Sequence, residues 1–341
     1  MASPEKKRAM GAIMGALIGD ALGLGCHWYY DITQLQADYG NWVSEYRSSK
    51  IDRKDRFAKI AKLRHETGLR AGDVSQTGQV TMLLLESLAE AGTYDEGDFT
   101  SRLDALLETL DGTPFSGRYT DRAMRDVWQQ RKSGMPWEQV GSTADTSEAA
   151  MRSTILAARF FKDPEHLAMV GFQNIRLTHR DPFVAGQSLS FALTVSAFIN
   201  DPELSNIGKH MSQLAEQEGI RALVPSFDCL TQVANGAVAV NSGVHVEPAS
   251  LVASIYGLAC TLGFMLPAAY YLIHRYPQDF EMAVLSAVNG GGNNMARAAL
   301  TGALSGAMVG LTGIPQRFVS GLKDSERLLR LAEKVASEAL A

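Results

Sequence analysis

Two runs of glycine at four-residue intervals limit the folds that are open to this chain. The runs are Gly11, Gly15, Gly19 and Gly23 near the start, and Gly302, Gly306 and Gly310 near the end. Residues four positions apart lie on one face of an α-helix, and each glycine within a helix costs up to about 1 kcal/mol relative to alanine. A row of glycines on one face lets a second helix approach closely. The spacing therefore predicts two close-packed helices in the interior of the protein.

Helical periodicity extends over most of the remaining chain. Apolar residues recur at intervals of three and four, while the alternating runs typical of strands are scarce. The pattern predicts helices over 80–90, 99–110, 149–161, 186–199 and, as an amphipathic tail, 324–340. No Pro-rich or Ser-rich linker and no low-complexity tract divides the chain. We therefore expect an all-α protein with one large domain over residues 1–341.

Composition and charge argue against several classes of protein. The chain is 46% hydrophobic and 20% charged, which is typical of a soluble globular protein. Its net charge of −5 argues against a nucleic-acid binder that neutralises phosphates. The basic stretch 50–70 is interpreted as a loop and a solvated helix. The three cysteines form no Cys-x-x-Cys pair, which is typical of a reducing compartment.

Two apolar stretches could be mistaken for targeting or membrane segments. Residues 10–24 are interrupted by Asp20 and lack a signal cleavage site, so we expect a cytoplasmic protein. Residues 251–273 carry no charge and are nominally long enough to span a bilayer. Because Gly257, Gly263 and Pro267 interrupt them, a buried helix pair is favoured over a membrane span.

A glycine-rich loop before the second glycine run is a candidate ligand site. Its residues proposed to contact a ligand are Asn289, Gly291, Gly292, Asn293 and Asn294. Free amides at the start of a helix favour an anion. Arg297 lies in the first turn of the following helix, where a cation opposes the helix dipole. It therefore requires either an anionic ligand or an acidic partner such as Asp20 or Asp31.

Other polar residues next to predicted helices are candidates for catalysis and binding. The catalytic candidates are His27, Asp31, Asp73 and His179, since carboxylates and imidazoles can act as acids or bases. Further candidates for ligand binding are Asp20, Ser75, Gln76, Thr77 and Arg152. A purely structural interpretation stays open for several of them. Ser75 to Thr77 could simply begin a helix, and His179 could be held in a turn by its neighbours.

Several motifs together resemble those of the ADP-ribosylglycohydrolase family. They are GALIGDALG at 15–23, QVTMLLLESL at 79–88, AAMR at 149–152, TH at 178–179, VNGGG at 288–292 and TGALSGAMVG at 301–310. The resemblance covers residues 9–315, and the stretch 26–31 is similar to the branch that includes the J1 crystallins. It implies an orthogonal all-α helix bundle and hydrolysis of a glycosidic bond to ribose.

The chain departs from this family where the metal-dependent members hold magnesium. By resemblance, those members carry Thr-Asp-Asp-Thr and Asp-Thr-Asp-Thr strings and a glutamate. Here the corresponding positions read Ser75-Gln-Thr-Gly, Asn293-Asn-Met-Ala and His27. Mg²⁺ requires near-octahedral oxygen ligands, which usually include carboxylates. We therefore expect no metal site, no Mg²⁺ pair and no other cofactor.

Two function classes follow. The first is a metal-independent hydrolase of a ribosyl-type N- or O-glycosidic bond in a phosphorylated or ribosylated small molecule or adduct. The second is a catalytically silent ligand-binding, regulatory or crystallin-like structural protein. The polar residues His27, Asp31, Asp73 and His179 favour the first, because an abandoned site needs none of them. The expected partner is a small ribosyl or phosphorylated molecule, with no nucleic acid and no membrane.

Overall fold

A computed structural model describes residues 3–113, 118–224 and 227–339 of the chain. Within these ranges it contains 18 α-helices, two short 3-10 helices and no strand, which confirms the all-α prediction. The helices are α1 (Pro4–Leu24), α2 (Ile32–Tyr39), α3 (Ala58–Glu66), α4 (Gln76–Ala91), α5 (Glu96–Glu108), α6 (Arg122–Lys132), α7 (Glu148–Phe160), α8 (Pro164–Arg176), α9 (Pro182–Asn200), α10 (Leu204–Ala215), α11 (Glu218–Arg221), α12 (Phe227–Asn241), α13 (Val252–Tyr256), α14 (Leu262–Arg275), α15 (Phe280–Asn289), α16 (Asn294–Val309), α17 (Gln316–Gly321) and α18 (Ser325–Glu338).

The two glycine runs lie on α1 and α16, which pack directly against each other. A Cβ added at Gly15 would lie 2.1 Å from the carbonyl oxygen of Gly302, and one added at Gly302 would lie 2.1 Å from that of Gly15. Gly19 faces the carbonyl oxygen of Ala298 just as closely. No side chain fits between backbones at this distance. The predicted close-packed helix pair is confirmed.

The other core helices surround this pair. Helix α9 packs against α7, α8 and α16. Among the helices in the described ranges, α9 alone is long and apolar enough to cross a bilayer, and 89% of its apolar window is buried inside the protein. An apolar helix in this position supplies the core, because each of its faces meets another helix.

The charge-free segment 251–273 divides into α13 and α14. Helix α14 is largely buried and contains Pro267, as the predicted helix pair requires. Helix α13 differs from the prediction, because Ile255 is 64% exposed. The amphipathic tail is confirmed as α18, whose Leu328 and Val335 are buried. The last predicted tail residue, Leu340, lies outside the described residues.

Candidate functional site

A cavity of about 280 Å³ lies where the starts of α4, α7 and α16 meet the turn after α1. Its polar lining falls into two groups. The arginine cluster comprises His27, Arg64, Ser75, Gln76, Thr77 and Asn293. The acidic cluster comprises Asp121, Thr146 and Glu148, with the buried His179 behind them. Five of the residues proposed from the sequence therefore line the cavity, namely His27, Ser75, Gln76, Thr77 and Asn293.

Aromatic side chains form the apolar part of the lining. Trp28 contacts Phe57 with ring centroids 5.0 Å apart and Tyr119 at 4.4 Å. Trp28 has φ of 66° and Tyr119 has φ of 79°, a region that bulky residues rarely adopt. Arg53 holds the first of these turns, since its guanidinium donates to the carbonyl oxygens of His27 and Trp28, each at 3.0 Å. Two such conformations on one cavity are typical of a functional site.

Asp20 and Ser75 fix the start of α4 beside the cavity. The Asp20 carboxylate accepts bonds from the Ser75 amide and the Ser75 hydroxyl, both at 2.6 Å. The Ser75 hydroxyl oxygen in turn accepts from the amide of Gly78 at 3.1 Å. Burial raises the pKa of Asp20 to about 6, although the two Ser75 bonds oppose this rise. Asp20 therefore holds Ser75 of the arginine cluster in position and does not itself line the cavity.

Arg64 brings a positive charge to the cavity wall. Its side chain is only 3% exposed, and its Nη1 donates to the carbonyl oxygen of Leu24 at 3.2 Å. The buried Nε has no partner, and in the described residues no carboxylate forms an ion pair with this guanidinium. Burial lowers the pKa of Arg64 to about 10, so it stays charged at neutral pH. The prediction of a solvated basic stretch over 50–70 is wrong for Arg53 and Arg64, which are buried.

His27 is held as a neutral hydrogen-bonding group. The Asn294 amide nitrogen donates to the carbonyl oxygens of Cys26 and Val288, each at 3.2 Å, which orients the Asn294 amide. Its oxygen then accepts from Nδ1–H of His27 at 3.0 Å. Burial, with the nearby Arg64 charge, lowers the pKa of His27 well below its usual value. Nε2 of His27 is therefore an acceptor in the cavity wall.

The acidic cluster joins two carboxyl groups that the sequence analysis did not identify. Asp121 precedes α6 and accepts from the Ala123 amide at 3.2 Å, and it shares a hydrogen bond with Glu148 at the start of α7. Burial and the neighbouring Glu148 charge raise the pKa of Asp121 well above its usual value. Asp121 is therefore the carboxyl group of this cluster whose protonated form is favoured.

Thr146 and His179 fix the position of Glu148. The Thr146 hydroxyl donates to Glu148 Oε2, and Nε2 of His179 lies 3.2 Å from that oxygen. Nδ1 of His179 lies 2.9 Å from the Thr178 hydroxyl, which can donate to it. Burial lowers the pKa of His179 to about 3, so the imidazole is neutral. His179 therefore acts through Glu148 and does not line the cavity.

The remaining two catalytic candidates lie elsewhere. Asp31 is exposed and caps α2, where it accepts from the Thr33 amide at 2.8 Å. Asp73 pairs with Lys323 at 2.9 Å and with Arg118 at 3.7 Å. Neither carboxylate lines the cavity, because each is engaged by its own loop or by surface cations.

Two ligand-binding candidates also turn out to bond only to protein. Arg152 is fully buried and donates to the side chain of Asn174 at 2.8 Å and to its carbonyl oxygen at 2.7 Å. The Asn289 side chain pairs with the backbone of Val43 through bonds of 2.8 Å and 2.9 Å. Both side chains join distant parts of the chain.

The backbone amides of the glycine loop form hydrogen bonds within the protein. Gly290, Gly291, Gly292 and Asn293 donate to the carbonyl oxygens of Ser286, Val288, Tyr29 and Leu258. In the described residues, Arg297 forms an ion pair with neither Asp20 nor Asp31. Its guanidinium donates to the carbonyl oxygens of Ala287 and Gly291. The C-terminal end of α15 carries partial negative charge, which explains a cation at this place.

The sequence analysis did not identify Asp121, Glu148 and Arg64, because the residues around them do not indicate a ligand site. Asp121 appears as an ordinary helix cap, and Glu148 directly precedes the AAMR motif at 149–152. The adjacency to that motif was the one available indication. Arg64 is one of many basic residues in 50–70, and only its burial distinguishes it.

Comparisons with known proteins agree with this architecture. The chain is 24% identical to the ADP-ribosyl-[dinitrogen reductase] glycohydrolase of Rhodospirillum rubrum, over 92% of this chain and 90% of that protein. It is 23% identical to an uncharacterised protein of Archaeoglobus fulgidus, over 95% and 94% of the two chains. A solved structure, the ADP-ribosylglycohydrolase-related protein complex, superposes with a TM-score of 0.65 at 20% identity, covering 98% of this chain and 99% of that one.

The family model for ADP-ribosylglycohydrolase matches residues 1–340, which confirms the resemblance drawn from the glycine-rich motifs. Membership of this family points to a glycohydrolase. With a match of this extent and a superposable helical fold, the chain belongs to the ADP-ribosylglycohydrolase family.

Proposed function

We propose that the protein hydrolyses a ribosyl-type N- or O-glycosidic bond and that its acidic cluster, without a metal pair, supplies the acid and the base. The observation that carries this proposal is the hydrogen-bonded pair of Asp121 and Glu148 in the cavity wall, in which burial and the Glu148 charge raise the pKa of Asp121. A carboxyl group that retains its proton can act as an acid, and the neighbouring carboxyl group can act as a base. A catalytically silent member would have no use for such a pair, and family membership does not favour that alternative.

During the proposed reaction, one proton leaves this pair of carboxyl groups and one proton returns to it. Asp121 donates its proton to the leaving nitrogen or oxygen as the bond to the anomeric carbon breaks. A water molecule forms the new bond to the same carbon and gives a proton to the Glu148 carboxylate. The pair then again holds one proton. The aromatic wall excludes bulk water from this step, which strengthens the electrostatic interactions.

Thr146 and His179 are positioning residues in this mechanism. Their bonds to Glu148 Oε2 keep one carboxylate oxygen occupied and leave the other for the attacking water. Because His179 is neutral, it orients Glu148 without neutralising its charge. His27, with Nε2 as an acceptor, binds a hydroxyl group of the substrate and takes no proton.

The donor set supports the metal-independent part of the proposal. No group of three or more His, Cys, Asp or Glu side chains that could hold a metal occurs within the described ranges. The arginine cluster presents neutral oxygens from Ser75, Gln76, Thr77 and Asn293, together with the charged Arg64. Two divalent cations need carboxylates, and a guanidinium beside them would repel them. We therefore derive no step through a metal ion.

The proposed substrate is a ribosyl or phosphorylated small molecule or adduct. The name of the Rhodospirillum rubrum relative supports an ADP-ribosyl group as one member of this class. The negative charge supports a protein that does not bind nucleic acid. We also propose that the protein acts in the cytoplasm without a membrane partner.

The experiment compares Asp121→Asn and Glu148→Gln with the wild type. Release of product is measured from ADP-ribosyl-arginine and from simple ribosyl N- and O-glycosides, with EDTA present. We expect each variant to lower kcat by about 10²- to 10⁴-fold, the usual effect of losing a general acid or base. Glu138→Gln, on the exposed surface, is the matched control and should leave kcat unchanged. Unaltered kcat in both cavity variants would overturn the assignment, and activity that requires added Mg²⁺ would overturn its metal-independent part.

A further inference from the structure

We propose that the arginine cluster is a subsite for a phosphate monoester on the sugar of the substrate, with Arg64 as its charged contact. This inference rests on the proposed function, because it assigns the group that the same cavity holds beside the acidic cluster. It makes the substrate a glycoside of a sugar phosphate. Three features of the arginine cluster support it: a buried cation with few partners, two amide side chains that line the cavity and the start of a long helix.

Arg64 is a buried cation with too few partners. Nη1 donates to the carbonyl oxygen of Leu24 at 3.2 Å, and Nε is buried without an acceptor. A buried guanidinium usually has most of its five donors satisfied, because unpaired buried charge is costly. Since Arg64 lines the cavity, a ligand placed there can accept the remaining bonds. Phosphate suits this role, because a guanidinium binds it through two parallel bonds.

The carboxylates near Arg64 do not supply the missing acceptors. Asp20 contributes attraction, but both of its oxygens are bound by Ser75. Asp73 is committed to Lys323 and Arg118. Asp55 is bound by Arg53 through two hydrogen bonds, so its carboxylate is also engaged. The arginine cluster therefore favours an anion.

The start of α4 adds donors that point to the same ligand. The first turn of a helix leaves backbone amides without acceptors inside the helix. Ser75 caps the Gly78 amide, and Gln76 and Thr77 of the same turn line the cavity. A helix N-terminus attracts negative charge through its dipole, and α4 spans Gln76–Ala91. Together with Arg64, these amides provide charge and directional bonds for phosphate oxygens.

Two side chains of the arginine cluster are suited to sugar hydroxyls. Gln76 and Asn293 both line the cavity, and each side chain is more than nine-tenths buried. Their amide groups and the neutral His27 can form hydrogen bonds with the hydroxyl groups of a sugar. A bare phosphate uses few of these groups, so the chemistry matches a sugar that carries the phosphate.

The size of the cavity favours a compact ligand. Sites for drug-sized molecules usually measure about 300–1,000 Å³, and this cavity measures about 280 Å³. A pentose phosphate with part of its leaving group fits this volume, whereas a complete dinucleotide has to extend outside. We therefore expect a monoester to bind more tightly than ADP-ribose.

The test measures binding by isothermal titration calorimetry with EDTA present, using ribose 5-phosphate, ribose and ADP-ribose as probes. We expect ribose 5-phosphate to bind the wild type about 10- to 150-fold more tightly than ribose, the ratio that one charge-assisted bond supplies. Arg64→Gln should reduce the affinity for ribose 5-phosphate to that for ribose. Lys62→Gln removes the same charge from the exposed side of α3 and should change nothing.

A second variant keeps the test decisive if Arg64→Gln fails to fold. Gln76→Glu has the same shape but places a negative charge beside the phosphate, so it should abolish binding of ribose 5-phosphate and spare that of ribose. The inference is overturned if ribose 5-phosphate binds no better than ribose, if both cluster variants keep the wild-type affinity, or if ADP-ribose binds more tightly than ribose 5-phosphate.

The failures of the two proposals are distinguishable. Asp121→Asn and Glu148→Gln should keep the affinity for ribose 5-phosphate while they lose hydrolysis. If the wild type binds ribose 5-phosphate through Arg64 but cleaves no ribosyl glycoside, the subsite stands and the hydrolase proposal fails. If it cleaves glycosides and Arg64→Gln does so with an unchanged KM, the hydrolase stands and the subsite fails.

Discussion

Arg64 and Arg297 are both buried guanidinium groups, yet their surroundings differ. In the part of the chain that the structure describes, neither forms an ion pair with a carboxylate. Arg297 donates from Nε and Nη2 to the carbonyl oxygen of Ala287 at 3.2 Å and 3.0 Å, and from Nη2 to that of Gly291 at 2.5 Å. Arg64 donates from Nη1 to the carbonyl oxygen of Leu24 at 3.2 Å and lines the cavity.

The difference shows how a structural arginine is distinguished from one that is available to a ligand. The acceptors of Arg297 come from the end of α15 and the glycine loop, where helix carbonyls carry partial negative charge and the cation is favourable. Arg297 therefore binds the loop to α16. The partners of Arg64 are fewer, and the space beside it is a cavity. Each guanidinium keeps one buried nitrogen without an acceptor, Nε in Arg64 and Nη1 in Arg297, so neither burial nor an unsatisfied donor separates the two roles. The position of Arg64 on the cavity separates them.

The largest expected effect is on the stability of an Arg297→Met variant. The substitution leaves the carbonyl oxygens of Ala287 and Gly291 buried without these donors. Hydrogen bonds to a charged group contribute about 1.5–3 kcal/mol each, so the loss of three bonds should lower the free energy of unfolding by about 4.5–9 kcal/mol. Arg64→Met loses one such bond and should cost about a third as much. Urea denaturation of both variants measures the contrast.

Ligand affinity provides the control for this comparison. Folded Arg297→Met should bind ribose 5-phosphate as the wild type does, whereas Arg64→Met should lose this affinity. A marked loss of affinity in Arg297→Met with unchanged stability would contradict the assignment, because it would return the anion site to the glycine loop.

A smaller effect is expected in the pH dependence of stability. Burial, opposed by bonds from Ser75 and by nearby cations that include Arg64, raises the pKa of Asp20 to about 6. A carboxyl group with a raised pKa stabilises the fold below its unfolded pKa of about 3.9, and this contribution is lost as pH rises through about 6. Relative to Asp20→Asn, the wild type should lose at most about 3 kcal/mol between pH 4 and pH 7.

This pH dependence separates the two arginines again. Removing the Arg64 charge should raise the pKa of Asp20 further, so Arg64→Met should lose more stability than the wild type as pH rises. Arg297→Met should show the wild-type dependence. The measurement is urea denaturation at several pH values, and identical profiles for all three proteins would mean that Arg64 does not act on Asp20.

The fold could be predicted from the sequence because its determinants are local or repeated. Gly15 and Gly302 belong to runs whose spacing specifies one helix face, and this face requires a partner helix at close distance. Apolar periodicity identified the buried helices in the same way. The sequence predicts the interruption at Gly257 within 251–273. It does not predict the exposure of Ile255, because that exposure depends on which helices lie beside α13.

The site could be predicted only in part, because its chemistry depends on contacts between distant segments. The loop amides of Gly292 and Asn293 appear free in the sequence, but Tyr29 and Leu258 supply their acceptors. Asp121 and Glu148 become an acid and a base only where α6 and α7 begin side by side. Each residue alone resembles an ordinary helix start.

Removing divalent metal ions is expected to have the smallest effect of all. The arginine cluster already has a fixed cation in Arg64, and its remaining donors are neutral amides and hydroxyls, which bind Mg²⁺ weakly without carboxylates. EDTA should therefore leave both the melting temperature and the affinity for ribose 5-phosphate unchanged in the wild type. Thermal melts and titrations with EDTA, and then with excess Mg²⁺, provide the measurement. A large loss that Mg²⁺ restores would show that other acids rebuild a metal site. This result would also remove the distinction between the two arginines. The metal would then hold the ligand, and Arg64, like Arg297, would have only a structural role.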